Sequence, residues 1–186
     1  LSSQYAKKEF NIPRMFIINM VDNDQSNYNK TLKELKDRFG RSVVPFMIPV
    51  NEGEGFNQIV DILRKKTLTY KTDSSGEYSE SPCEKDKENL VGDLYDELIE
   101  LIAESDEELL EKYFENEELT DDEIRGGLST AIKENNIIPV FCVSGLKNIG
   151  IRRMMDILSR YSPCASAYKK VVGKKPNSED PIEFNR

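Results

Sequence analysis

The chain has 186 residues, 38% of them hydrophobic, enough to bury one core with a smaller satellite layer, and no run of apolar residues approaches the ~18 needed to span a bilayer. It contains no histidine, which removes the commonest general base, the serine and cysteine hydrolase triads and most zinc sites; its cysteines, Cys83, Cys142 and Cys164, form no C-x-x-C pair and fit a reducing cytoplasm better than a disulfide framework. The net charge of −8 is uneven: 18 of the 34 acidic residues but four of the 26 basic ones lie between Glu84 and Arg125, a stretch that repels a phosphate backbone, so no direct nucleic-acid binding is expected through it.

The first residue is Leu1, and the opening ten residues read as the tail of a helix, as in an excised piece of a longer protein. Met15 to Ile18 is a continuous apolar run after Pro13, the pattern of a parallel strand buried on both faces; it stops at Asn19-Met20-Val21-Asp22. Tyr28, Leu32, Leu35 and Phe39 share one face of a helix that Gly40 ends. Val43 to Val50, broken by Pro45 and Pro49, reads as an edge strand, and Phe56 to Tyr70 as one or two more. Ser74-Ser75-Gly76 supplies a turn before Glu77 to Pro82, so a small antiparallel unit is predicted here.

Three helices follow. The first places Leu90, Leu94, Leu98, Leu101 and Ile102 on one face. The second is predicted to start with Ser105 capping against Glu108, and the third with a Thr120/Glu123 capping box. Ile137 to Val143 is a second buried strand, ending at Ser144-Gly145-Leu146-Lys147. Ile151, Met154, Met155 and Leu158 line a last helix, and the Lys-rich tail beyond Pro163 reads as a linker.

The architecture is therefore α/β: two parallel-type strands, each ending in a polar loop that feeds a helix, with an α+β insert between them. Ligands of open α/β sheets bind at the carboxyl ends of strands, which singles out the loops Asn19–Asp22 and Ser144–Lys147. Guanine offers two adjacent donors on its Watson–Crick edge, and a fixed carboxylate such as Asp22 can accept both; adenine presents an acceptor at one of these places and is rejected. The Gly145 N–H can donate to the guanine carbonyl. Spacing alone leaves open that Asn19 and Asp22 form an ordinary strand-ending turn.

Whole segments are more specific. Ile12-Pro13-Arg14-Met15-Phe16-Ile17-Ile18-Asn19-Met20-Val21-Asp22 resembles the strand leading into the Asn-Lys-x-Asp motif of elongation factor G, the ribosomal translocase. Residues 55–63 and 66–70 resemble strands of that family's insert subdomain, 106–115 its acidic helix, and 139–151 the strand and loop that close its guanine pocket. The resemblance implies the C-terminal half of a P-loop GTPase G domain interrupted by an α+β insert. G-domain parts are expected at 1–40 and 137–162, the insert at 41–136 and a linker at 163–186.

It also implies GTP or GDP as ligand, with Asn19 bracing the pocket, Asp22 reading guanine, and Ser144, Gly145 and Leu146 forming the second loop. Met20 stands where the family has a lysine whose stem lies along the base, and Gly145 where it has alanine; both departures suggest a divergent paralogue with weakened affinity. No G-x-x-x-x-G-K-[ST] phosphate loop occurs in the sequence, and Asp37–Gly40 and Asp73–Gly76 read as structural matches to the magnesium-side pattern. Mg2+ and GTP hydrolysis are thus expected only of a full-length parent, cytoplasmic and ribosome-associated. The alternative is a docking module that contacts the ribosomal stalk through its acidic insert helices without nucleotide. Self-association through the cut sheet edge is a further expectation.

Overall fold

The computed structural model describes residues 12–116, 118–162, 170–174 and 181–185; the expected N-terminal helix tail lies outside them. A three-stranded parallel sheet has the order β1-β7-β2, with β1 at Phe16–Ile18, β2 at Val43–Pro45 and β7 at Ile138–Cys142. A four-stranded antiparallel sheet runs β3-β4-β5-β6: Met47–Pro49, Gln58–Asp61, Lys66–Tyr70 and Tyr78–Pro82. The stretch expected to be a single edge strand is two, because Phe46 turns the chain from one sheet to the other. Its N–H donates to Val140 at 2.9 Å and its C=O accepts from Ile62 at 3.1 Å. Both pieces are edge strands, which accommodates Pro45 and Pro49.

The central strand β7 is buried at every position, yet carries Pro139. Ile138 donates toward β2, through Ser42 at 2.6 Å, and Val143 toward β1, through Ile18 at 2.9 Å, so the absent N–H of Pro139 faces the β1 side. Pairing with β1 begins only at Val140, opposite Phe16, and no ladder bond is lost. The run at β1 was expected to be buried on both faces; instead Ile17 is 47% exposed and β1 is an edge among the described residues. Continuous hydrophobicity does not by itself distinguish a strand covered on both faces from an exposed edge strand.

Helix α1 (Tyr28–Phe39) packs Leu32, Leu35 and Phe39 against Val43, Ile138 and Val140, and ends at Gly40 with φ +82°. Three helices follow: α2 at Glu88–Ala103, α3 at Glu107–Asn116 and α4 at Asp121–Lys133. In α2 the expected Leu90 is exposed and Val91 takes its place in the core. The cap of α3 is not Ser105, whose hydroxyl donates to Ile102 at 2.6 Å, but Asp106, which accepts from Glu108 N–H at 2.9 Å. The Thr120/Glu123 capping box of α4 is present in full. In α5 (Ile151–Tyr161) Met154 and Ile157 are buried while Met155 is exposed. The helix is rotated so that Arg153 turns inward to Asp61 of β4, 2.5 Å away. The tail expected to be a linker includes a two-stranded antiparallel pair, β8 (Lys170–Lys174) and β9 (Pro181–Asn185). One continuous core joins the two larger sheets, with Phe46 meeting Phe141 edge-on at 5.8 Å.

Candidate functional site

Parallel pairing of β1 with β7 brings their carboxyl-end loops side by side. Val143 N–H donates to Ile18 at 2.9 Å and Val21 N–H to Val143 at 3.3 Å, so the first loop is stitched to the second before either diverges. The Asn19 side chain then crosses the gap, and its Oδ1 accepts the Gly145 N–H at 3.0 Å over 126 positions of sequence. The Gly145 N–H, expected to meet a guanine carbonyl, is thereby donated to Asn19.

Met20 follows with φ +65°, a left-handed backbone that is costly for a side chain of this size, and is held in a turn by Asn23 N–H at 3.0 Å. Its side chain is 60% exposed, and Leu146 in the second loop is 86% exposed, so each loop presents an apolar side chain to solvent. Asp22 is half-buried and its carboxylate has no hydrogen-bond or ion-pair partner among the described residues.

The second loop is closed by Ser144 and Ile149, which exchange both backbone hydrogen bonds at 3.0 Å. Ser144 is buried, and its Oγ accepts Lys147 N–H at 3.0 Å. Gly150 starts α5 at φ +79°; a Cβ there would lie 2.7 Å from the Cys142 carbonyl, so the helix can approach the strand only through glycine. At Gly145 a Cβ would meet Asn19 Oδ1 at 3.6 Å, an ordinary contact. Burial pushes the Cys142 thiol well above its usual pKa, making it a core residue rather than a nucleophile.

Sequence reasoning missed Glu52. Its Oε2 accepts from Ser26 Oγ and from Tyr28 N–H, each at 2.9 Å, fixing the start of α1 behind the first loop. No local spacing relates Glu52 to either residue, so only the fold could reveal it.

The elongation factor Tu GTP binding domain family model matches residues 3–164. The chain belongs to that family. A crystal structure from Thermus thermophilus is similar at TM-score 0.74 and 26% identity, over 86% of this chain and 24% of the other. The chain therefore spans about a quarter of the length of that protein. Membership makes this a GTPase domain of the translation-factor type, and the mixed sheets with flanking helices are the corresponding α/β fold.

Elongation factor Tu domains bind guanine nucleotide, typically with Mg2+. The Asp22 carboxylate, without a partner among the described residues, offers two acceptor oxygens, the chemistry that the two donors of a guanine edge require. For Mg2+, no group of three or more Asp, Glu, Cys or His side chains that could hold a metal ion occurs among the described residues.

Proposed function

We propose that these residues are the guanine-recognition part of an elongation factor G-like translational GTPase, with the phosphate loop and Mg2+ ligands supplied by sequence outside them. The observation that supports this most is the Asn19–Gly145 hydrogen bond, which ties the two loops together beside Asp22, a carboxylate with no partner among the described residues. On this reading Asp22 accepts the two guanine donors, Met20 and Leu146 lie against the base, and Ser144 holds the turn that presents Gly145. Residues 41–136 are assigned to the insert subdomain, although their first strand, β2, pairs with β7 in the parallel sheet, and the parent hydrolyses GTP on the ribosome in the cytoplasm. Base contacts without charge-assisted phosphate contacts bind weakly. Calorimetry of this chain with GDP and Mg2+ tests the division of labour: binding weaker than micromolar is expected, and micromolar or tighter binding counts against it. In the parent, Asp22→Asn exchanges a carboxylate for an amide that can donate. It should lower affinity for GDP and favour xanthosine diphosphate, which carries a carbonyl in place of guanine's amine.

A second reading, docking of the ribosomal stalk on the acidic insert helices, draws on α3. Glu107, Glu108 and Glu111 are exposed, while Leu109 and Tyr113 pack against the core and Phe114 is 75% exposed. Of the apolar set Leu109, Leu110, Tyr113 and Phe114, Leu110 is half-buried and Phe114 alone is largely exposed, so steering by charge outweighs burial. Charge reversal at Glu107, Glu108 and Glu111 should slow association with stalk protein strongly at low salt and little at high salt. An unchanged low-salt rate would remove this helix from the interface.

A further inference from the structure

The loop at residues 51–55, where the chain enters the antiparallel hairpins, touches both base-recognition loops. Gly53 N–H donates to Val21 C=O at 2.9 Å, and Asp24 Oδ1 accepts Glu54 N–H at 3.0 Å, so two consecutive amides are spent on the first loop. From the other side the Lys147 ammonium of the second loop donates to the Glu54 carbonyl. One peptide segment is thus held by the first loop through its N–H groups and by the second through a C=O. The approach is close: Gly53 has φ +81°, and a Cβ there would stand 3.1 Å from Asp24 Oδ1. A residue with a side chain is disfavoured on both counts.

We propose that loop 51–55 is the strut that sets the spacing of the two guanine loops, with Asp24 and Lys147 as its positioning residues; the functional meaning rests on the base-recognition reading above. Asn19 spans the pair of loops at one end, and the Asp24–Glu54–Lys147 chain spans it at another. This chain adds a tie away from the strand ends to the Val21–Val143 and Asn19–Gly145 bonds near them. The strut belongs to the segment that carries the hairpins, so guanine binding and the position of the insert are mechanically linked through residue 54.

Amide hydrogen exchange on this chain tests the strut without any ligand. Asp24→Ala and Lys147→Met each remove one tie from an exposed or half-buried side chain, so the core amide of Phe141 in β7 reports whether the fold is intact. Exchange at Gly145 N–H, whose bond to Asn19 depends on loop spacing, should accelerate at least threefold in both variants while Phe141 is unchanged. Asp24→Asn, which keeps the accepting oxygen, should restore the wild-type rate at Gly145. Equal rates at Gly145 in wild type and both alanine- and methionine-type variants would overturn the proposal, as would acceleration at Phe141 in step with Gly145. Titration with guanosine monophosphate separates this from the base reading. If Gly145 responds to it but the Glu54 amide does not, the link to the insert fails while base recognition stands. If neither responds although exchange behaves as expected, the strut stands and the base reading fails.

Discussion

Met20 combines a left-handed backbone with an apolar side chain where lysine is the family residue, and the two features lead to different consequences. The backbone shape is set by the turn and does not depend on the side chain's charge. A lysine at this place would regain an ammonium over the flat base while keeping the apolar stem. Met20→Lys in the parent protein should raise GDP affinity by about two- to fivefold, the scale of an exposed cation–π contact; unchanged affinity by calorimetry would mean the side chain does not lie on the base. Gly145→Ala is the complementary change. Its Cβ fits at 3.6 Å from Asn19 and it narrows the unfolded ensemble, so a gain of about 0.4–1 kcal/mol in urea unfolding is expected. The loops that carry Asn19, Asp22 and Ser144 were legible in the sequence because each follows directly on an apolar strand. Glu52 and Asp24 were not, since their partners lie some 24 to 30 residues away with no period to connect them.

At the scale of elements, the ion pair between β4 and α5 carries the largest single risk. Asp61 is fully buried and Arg153 nearly so; burial pushes the Asp61 carboxyl up even though the guanidinium beside it pulls down. Arg153→Met strands a buried carboxylate and should cost about 3–5 kcal/mol, whereas Arg153→Met with Asp61→Leu should recover most of that, both read by denaturant unfolding. The start of α4 gives a pH dependence. The Lys112 ammonium, then the backbone and hydroxyl of Thr120, hold Glu123 at a pKa of about 2 against an ordinary 4.5. Its contribution is complete above about 4.5 and is lost as pH falls toward about 2, so Glu123→Gln should flatten the acid limb of the stability curve over that window. The Thr120 box was legible because it is local. The Ser105 start was misplaced because Ser105 and Asp106 are adjacent and both cap well, and only the acceptors available in the fold decide between them. The face of α5 was misread at Met155 for a similar reason: a buried arginine is invisible to hydrophobic periodicity until Asp61 is placed opposite it.

Across the whole molecule, Phe46 and the shared core make the two larger sheets one folded unit, so the loops that follow β1 and β7 share their support with the antiparallel sheet. The alternation of strand and helix was readable in chain order; the split of residues 43–49 between two sheets was not, because Pro45 and Pro49 signal edges without saying of which sheet. The edge at β1 leaves Met15 and Ile17 substantially exposed. Self-association of the chain at high concentration is the corresponding expectation, and a strictly monomeric species in sedimentation would contradict it. The central claim is that the two loops read a guanine base without help from phosphate contacts. Amide chemical-shift titration of this chain with millimolar guanosine monophosphate and adenosine monophosphate tests it most directly. The guanine nucleotide should move the Met20, Asp22, Gly145 and Leu146 resonances along a saturating curve while the adenine nucleotide leaves them in place; equal responses to the two, or none at these four amides, would contradict the account.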